Sequence, residues 1–94
     1  MPMSQALGRP RREPGVLAQH AGDATVLLHP ATGFSFTLND VGSRAWELCD
    51  GTRTVTEMAA LLSLEFDAET ETIDADVRPL IEEFIREQLV TLVH

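Results

Sequence analysis

The residue types that could carry acid–base, nucleophilic or metal chemistry are few in this sequence, and their spacing favours none of these functions. The histidines His20, His29 and His94 are isolated, and none stands at the i, i+4 spacing of a helical metal pair. Cys49, the single cysteine, comes at the predicted end of a helix, where the helix dipole disfavours a thiolate. No distinctive Ser/His/Asp or Cys/His ordering and no glycine-rich phosphate loop is present. We therefore predict that the protein is not an enzyme and binds no metal or cofactor.

Carboxylates are the one abundant reactive group, and they crowd into the last third of the chain. Unpaired carboxylates usually lie on a solvated helix face, and this explanation is preferred here to a role in acid–base catalysis. The residues concerned are Glu65, Asp67, Glu69, Glu71, Asp74, Asp76, Glu82, Glu83 and Glu87.

The charge of the chain restricts its partners. It has 15 acidic and 7 basic side chains, a formal net charge of −8, and no lysine. From Pro14 onward there are 14 acidic and 4 basic side chains, so this part carries about −10. A duplex-binding protein needs clustered positive charge to displace counterions from phosphates. Basic or hydrophobic partners therefore suit this chain better than nucleic acid or an anionic membrane.

Length and composition indicate one small domain. Ninety-four residues, 44% of them hydrophobic, can bury a single core. One cysteine excludes an internal disulfide, and neither a signal peptide nor a membrane span of roughly 20 apolar residues is visible. We expect a soluble cytoplasmic protein. Two prolines, a glycine and the lack of periodicity predict a flexible arm over residues 1–13.

The elements that would position a binding site meet at a corner between a strand and a helix. Residues 34–38 read Phe-Ser-Phe-Thr-Leu, an alternation that predicts a strand with one buried face. Asn39 and Asp40 then offer oxygens that can cap a helix, and Gly51 can end it. The single tryptophan, Trp46, is expected to anchor this helix in the core.

Two more strands precede the corner and two more helices follow it. Tight glycine-containing turns connect residues 16–20, 25–29 and 34–38, which favours an antiparallel meander. Thr54 and Glu57 match a capping box and predict a helix near residues 55–65.

The last part of the chain predicts a third helix and a short strand. The helix begins around residues 69–73, with Thr70 or Thr72 as its cap, and runs to residue 88 or 89. Residues 90–93 form a β-branched run that returns to the sheet as a strand. The predicted fold class is α+β and winged-helix-like, with a three-stranded antiparallel meander followed by three helices and a short C-terminal strand.

The third helix has two apolar groups at 100° per residue. The group assigned to the core consists of Ile73, Val77, Leu80 and Phe84. A partly open rim is expected to consist of Ile81, Ile85 and Leu89, with Arg78 beside them. Pro79 lacks an N–H and crowds the carbonyl of Ala75, which predicts either a kink or a later start of the regular helix.

A binding surface remains as the main functional prediction. The strand at residues 34–38 comes last in the meander and carries no charge, proline or other protection of an exposed edge. Such an edge beside the rim of the third helix could receive an extended peptide. The sequence leaves open whether the terminal strand or a second subunit covers this edge instead.

Several short motifs follow one another in an order and at a spacing that chance rarely produces. They are Pro14-Gly15-Val16, Val26-Leu27-Leu28, residues 30–33, Phe36-Thr37-Leu38-Asn39, Ala45-Trp46-Glu47-Leu48, residues 50–55 and Phe66-Asp67. This succession resembles the PqqD family, small proteins of pyrroloquinoline quinone (PQQ) biosynthesis, and its relatives in other peptide-modification pathways. The resemblance extends over residues 14–93, and its most specific elements are the Leu38-Asn39 corner and Asp50-Gly51-Thr52.

The resemblance implies that residues 14–94 form a PqqD-like recognition element for ribosomally synthesised and post-translationally modified peptides. Such a chaperone binds the leader of a precursor peptide and delivers it to a modifying enzyme, which in PQQ biosynthesis is a radical S-adenosylmethionine (SAM) enzyme. In the family the leader adds to the third strand and lies against the third helix. Transferred to this chain, the peptide-binding residues are Phe34, Ser35, Phe36, Thr37, Leu38, Arg78, Ile81, Glu82 and Ile85.

Two alternatives stay open at this point. A winged-helix topology is compatible with nucleic-acid binding, although the net charge of −8 argues against it. The same strand edge could also pair with a second copy, which would make the chain a structural dimerisation module.

Overall fold

A computed structural model of the protein describes residues 8–94. Over this range five strands and three helices follow one another in the order predicted for the meander, the helices and the C-terminal strand, with one additional strand at the beginning. The elements are β1 (Arg9–Arg12), β2 (Leu17–Ala21), β3 (Ala24–Leu28), β4 (Ser35–Leu38), α1 (Asp40–Glu47), α2 (Val55–Glu65), α3 (Thr70–Arg86) and β5 (Val90–Val93).

The strands form two separate antiparallel sheets. One sheet has the order β2-β3-β4 and is the predicted meander; the other pairs β1 with β5. Gly22, at φ 64°, makes the tight turn between β2 and β3, and Leu27 of β3 lies opposite Phe36 of β4. The meander and the three helices confirm the predicted α+β architecture.

The strand pairing corrects two expectations. Residues 9–12, which were expected to belong to a flexible arm, form β1 and pair with β5, so that Arg9 lies opposite Val93. The β-branched C-terminal run is a strand, as predicted, but it pairs with β1 and does not rejoin the meander. The rest of the predicted arm, residues 1–7, lies outside the described residues. The prediction failed because the partner of β1 lies at the far end of the sequence and leaves no local signal.

The corner between β4 and α1 is held by hydrogen bonds that the side chains of Asn39 and Asp40 accept from the first turn of α1. Asn39 is the N-cap, and its side-chain oxygen accepts a hydrogen bond of 2.8 Å from the N–H of Gly42. Asp40 accepts one from the N–H of Val41 at the same distance. The helix ends at Glu47, earlier than Gly51. Gly51 has φ 84°, and its N–H donates to the carbonyl of Pro10 in β1 over 2.8 Å.

The second helix has the predicted start. The hydroxyl of Thr54 accepts a hydrogen bond from the N–H of Glu57, and the Glu57 carboxylate accepts one from the N–H of Thr54. This capping box satisfies two donors that a helix start otherwise leaves free.

The core lies between the inner face of the meander and the three helices. Trp46 of α1 is 4% exposed and meets Phe84 of α3 edge-on, with ring centroids 5.4 Å apart. Phe84 is completely buried and also meets Phe36 of β4, at 6.2 Å. The outer face of the meander stays exposed and presents Leu17, Val26 and Leu28.

The buried residues of the third helix and of the segment after it differ in part from the prediction. Ile81 and Leu89, assigned to an open rim, are completely buried, whereas Leu80, assigned to the core, is only half-buried. Pro79 lies inside the continuous helix on its exposed side. Neither predicted threonine caps the helix: its N-cap is Glu69, which makes no side-chain capping bond.

Candidate functional site

The candidate binding site begins at β4, which is an edge strand. β4 pairs with β3 on one side, and in the part of the chain that the structure describes no strand pairs with its other side. Within Ser35–Leu38 there is neither a charged residue nor a proline. Natural proteins usually place such residues on exposed edges to prevent unwanted strand pairing. The edge of β4 is therefore open to strand addition.

The register of β4 shows which backbone groups face this open edge. The N–H of His29 donates to the carbonyl of Phe34 over 2.9 Å, and these residues lie opposite each other when the β3–β4 register is extended by one position. Hydrogen-bonded and non-bonded pairs alternate in an antiparallel ladder. Phe36 therefore bonds to β3, whereas Ser35 and Thr37 direct their N–H and C=O groups outward.

A groove runs beside this edge, between β4 and α3. Its volume is about 460 Å³, and the β4 corner forms one wall while α3 forms the other. The lining residues are Phe36, Thr37, Leu38, Asn39, Val41, Gly42, Asp76, Val77 and Leu80.

The groove has a rigid aromatic support. The ring of Phe34, which directly precedes β4, lies 6.0 Å from the ring of Phe36 in β4, centroid to centroid. Phe36 rests on Phe84, which in turn rests on Trp46. Edge-to-face contacts of this kind restrict ring movement and add to the stabilisation from buried apolar area. The chain of rings therefore connects the groove directly to the core.

The structure brings only part of the predicted peptide-binding set to this groove. Phe36, Thr37 and Leu38 line it, and Ser35 contributes an outward-facing backbone. Phe34 is half-buried next to Phe36.

The four predicted residues of α3 lie on other faces of that helix. Arg78 bonds Asp74 at 2.8 and 3.2 Å and Thr56 of α2 at 3.3 Å, which directs it towards α2. The hydrogen bonds that Arg78 donates to the Asp74 carboxylate also raise the pKa of the Arg78 guanidinium. Glu82 is exposed outside the groove, and Ile81 is completely buried.

Ile85, the last of these four residues, lies at a second hollow. This hollow has a volume of about 520 Å³ and lies between α3, β5 and the end of β3. Its lining includes His29 and Leu92. Ile85 is therefore separated from the β4–α3 groove by the body of the helix.

Asp76 and Leu80 are groove residues of α3 that the predicted binding set does not include. Helical periodicity places both on one stripe, about 40° apart around the axis. The same periodicity places Arg78 and Ile85 on the opposite flank of the buried stripe. Only the position of β4 decides which flank meets the strand, and the sequence pattern of α3 does not contain that information.

The single thiol is packed in the core. Cys49 is completely buried, and its Sγ–H donates to the carbonyl of Ala45 over 3.3 Å. Burial raises the pKa of the Cys49 thiol to about 12, so the nucleophilic thiolate is scarce at neutral pH.

Among residues 8–94, no three His, Cys, Asp or Glu side chains are grouped as metal ligands. Nor does any helix in this range combine the length and apolarity that a membrane span requires.

Comparison with known proteins identifies relatives that match most of the chain. A family model described as coenzyme PQQ synthesis protein D (PqqD) matches residues 24–90. A PqqA binding protein of Xanthomonas euvesicatoria pv. vesicatoria (strain 85-10) is 35% identical over 86 residues, which covers 89% of this chain and 91% of that protein.

Two solved structures share the fold. TbiB1 in complex with the TbiA(beta) leader peptide has a TM-score of 0.74 at 27% identity, covering 89% of this chain and 98% of TbiB1. The solution structure of the PqqD part of Methylobacterium extorquens PqqCD has a TM-score of 0.70 at 28% identity and covers 87% of each chain. That protein is described as a functional, stand-alone recognition element for ribosomally synthesised and post-translationally modified peptides.

Proposed function

The chain belongs to the PqqD family, and from this premise we propose that it is a non-catalytic chaperone for a precursor peptide. It binds the leader of a ribosomally synthesised peptide and presents that peptide to a modifying enzyme. The relatives support this function, since one is named for binding PqqA and another forms a complex with a leader peptide. The proposed partner is an enzyme of the radical SAM type, as the family resemblance implies.

The observation that carries the proposal is the open edge of β4 beside the β4–α3 groove. A leader that adds as a strand would bond to the outward N–H and C=O groups of Ser35 and Thr37. Its alternate side chains would enter the groove over Phe36 and Leu80, because side chains of a strand alternate between its two faces. Backbone bonds would then supply affinity and register, while the groove would select the side chains.

The proposed binding residues follow from this placement. Phe34–Leu38 supply the strand, as the sequence predicts, and Asp76 and Leu80 supply the groove wall of α3. A peptide role for Arg78, Glu82 and Ile85 would need contacts beyond this groove.

A backbone substitution tests the proposal directly. Ser35→Pro removes one outward N–H without removing a bond to β3, and proline is tolerated on such edges. We expect the affinity for the leader peptide encoded beside the gene to fall by about tenfold, the equivalent of one lost hydrogen bond. Calorimetry measures the affinity, and amide NMR spectra show whether the variant keeps its fold.

The opposite edge of the same sheet provides a matched control. On β2 the ladder alternation directs the backbone of Ala18 outward, away from β3. Ala18→Pro should therefore leave leader affinity unchanged.

The leader should also perturb the amides of β4 and α3 selectively in the wild-type protein. Equal affinity of folded Ser35→Pro and wild type would contradict binding at β4. A dimer that persists without binding any leader would indicate the dimerisation module instead.

A further inference from the structure

The α3 wall of the groove is acidic. Asp76 and Leu80 both line the groove, and Glu83 and Glu87 follow Asp76 at i+7 and i+11. At 3.6 residues per turn all four fall on one stripe about 60° wide. The apolar contact offered by Leu80 is therefore flanked by carboxylates along the helix.

The arginines of the helical part do not neutralise Asp76. Each of them already pairs with other carboxylates: the pairs are Arg44–Glu47, Arg44–Glu65, Arg53–Asp50, Arg78–Asp74 and Arg86–Glu83. Within residues 8–94 Asp76 forms no ion pair, and its side chain is exposed. The three remaining arginines lie on β1, in the other sheet.

From this charge distribution we propose that the groove selects leaders that carry a lysine or arginine beside Asp76, at the Leu38 end of the added strand. This inference rests on the proposed function and specifies the class of peptide that the same site accepts. The leader combines apolar side chains, placed at every second position over Phe36 and Leu80, with a basic side chain that meets Asp76. An acidic residue at that position would be repelled by the groove wall.

A charge scan of the leader tests the inference. Each lysine or arginine of the synthetic leader peptide encoded beside the gene is replaced in turn by glutamate, and its affinity is measured for three proteins. These are the wild type, Asp76→Lys, and the control Glu82→Lys, which makes the same change of charge on α3 outside the groove. Spectra of the free variants check that each keeps the wild-type fold.

For one basic position of the leader, the effect of charge reversal on affinity should depend on Asp76 and not on Glu82. Its reversal to glutamate should weaken binding to the wild type by about three- to tenfold, since an exposed attraction is replaced by a repulsion. Asp76→Lys should weaken binding of the natural peptide similarly and restore binding of the reversed peptide, whereas Glu82→Lys should do neither. The differences should shrink at high salt, because exposed charges are screened.

The outcomes separate this inference from the function on which it rests. A leader that binds at β4 but lacks basic residues, or whose reversal is not rescued by Asp76→Lys, overturns the charge selection alone. Equal rescue by Glu82→Lys also overturns it, because the effect would then reflect net charge only. A leader that does not bind β4 at all overturns the proposed function itself.

Discussion

Replacing Pro79 by alanine should stabilise the protein. Pro79 is the tenth residue of the 17-residue helix α3, so it removes an N–H that would otherwise bond to the carbonyl of Ala75. Both residues are exposed, so the substitution takes away no core packing. Proline in a helix interior is about 3 kcal/mol less favourable than alanine. Proline also restricts the unfolded chain, which offsets roughly 0.4–1 kcal/mol of that difference.

The expected gain in unfolding free energy is therefore about 2 kcal/mol. For a domain of this size that corresponds to a rise in Tm of roughly 8–16 °C. In urea the midpoint should rise by roughly 0.7–2 M if the m-value is about 1–3 kcal/mol per M. Denaturation followed by the fluorescence of Trp46 measures this shift, because Trp46 is buried against Phe84. Glu82→Ala, an exposed change on the same helix, should stay within about 0.5 kcal/mol of the wild type.

An unchanged or lowered midpoint for Pro79→Ala would refute this reasoning. It would mean that the missing N–H of residue 79 costs the folded helix no more than the restriction that proline places on the unfolded chain. Leader affinity of the same variant then provides a second measurement, because Pro79 precedes the groove residue Leu80.

Two further predictions concern ionisable groups. Cys49 should react with a thiol reagent at pH 8 only at the rate at which the protein unfolds, because burial raises the pKa of this thiol to about 12; rapid labelling of the native protein would contradict this. The hydrogen bond from Arg44 lowers the pKa of Glu65 below its ordinary 4.5, so the ion pair stabilises the fold above about pH 4.5 and loses this effect as the pH falls through the lowered value. Arg44→Met should therefore lose about 0.2–1 kcal/mol at pH 7 for this partly exposed pair and progressively less as the pH falls below 4.5, as measured by urea denaturation at a series of pH values.

Local sequence signals predicted most of the fold because the elements are stabilised locally. The capping box of α2 and the N-cap at Asn39 act within four residues, and the meander strands are joined by short turns. β1 was missed because Arg9–Arg12 gains its strand partner from the opposite end of the chain. The three arginines and one proline of β1 also give no apolar alternation.

The lining of the β4–α3 groove agrees with the predicted set on β4 and differs from it on α3. Alternation identifies β4 and its buried face, because a strand has only two faces and the apolar one is buried. Its last place in the meander then predicts a free edge. A helix presents a continuous circumference, and a buried stripe has two flanks. The interaction of Arg78 with Thr56 shows that one flank faces α2. The flank with Asp76 and Leu80 is therefore the one that remains beside β4.

The pairing of β1 with β5 brings the two ends of the folded unit together. Gly8 and His94 are in contact distance, and Arg9 lies opposite Val93. A linker of a few residues could therefore join them, and the chain could be reopened in the exposed turn at Gly22–Asp23. Another protein fused at either end would also emerge from the same place, in the sheet that does not carry β4. A domain fused beyond β1 or β5 would therefore be attached to the sheet that does not carry β4.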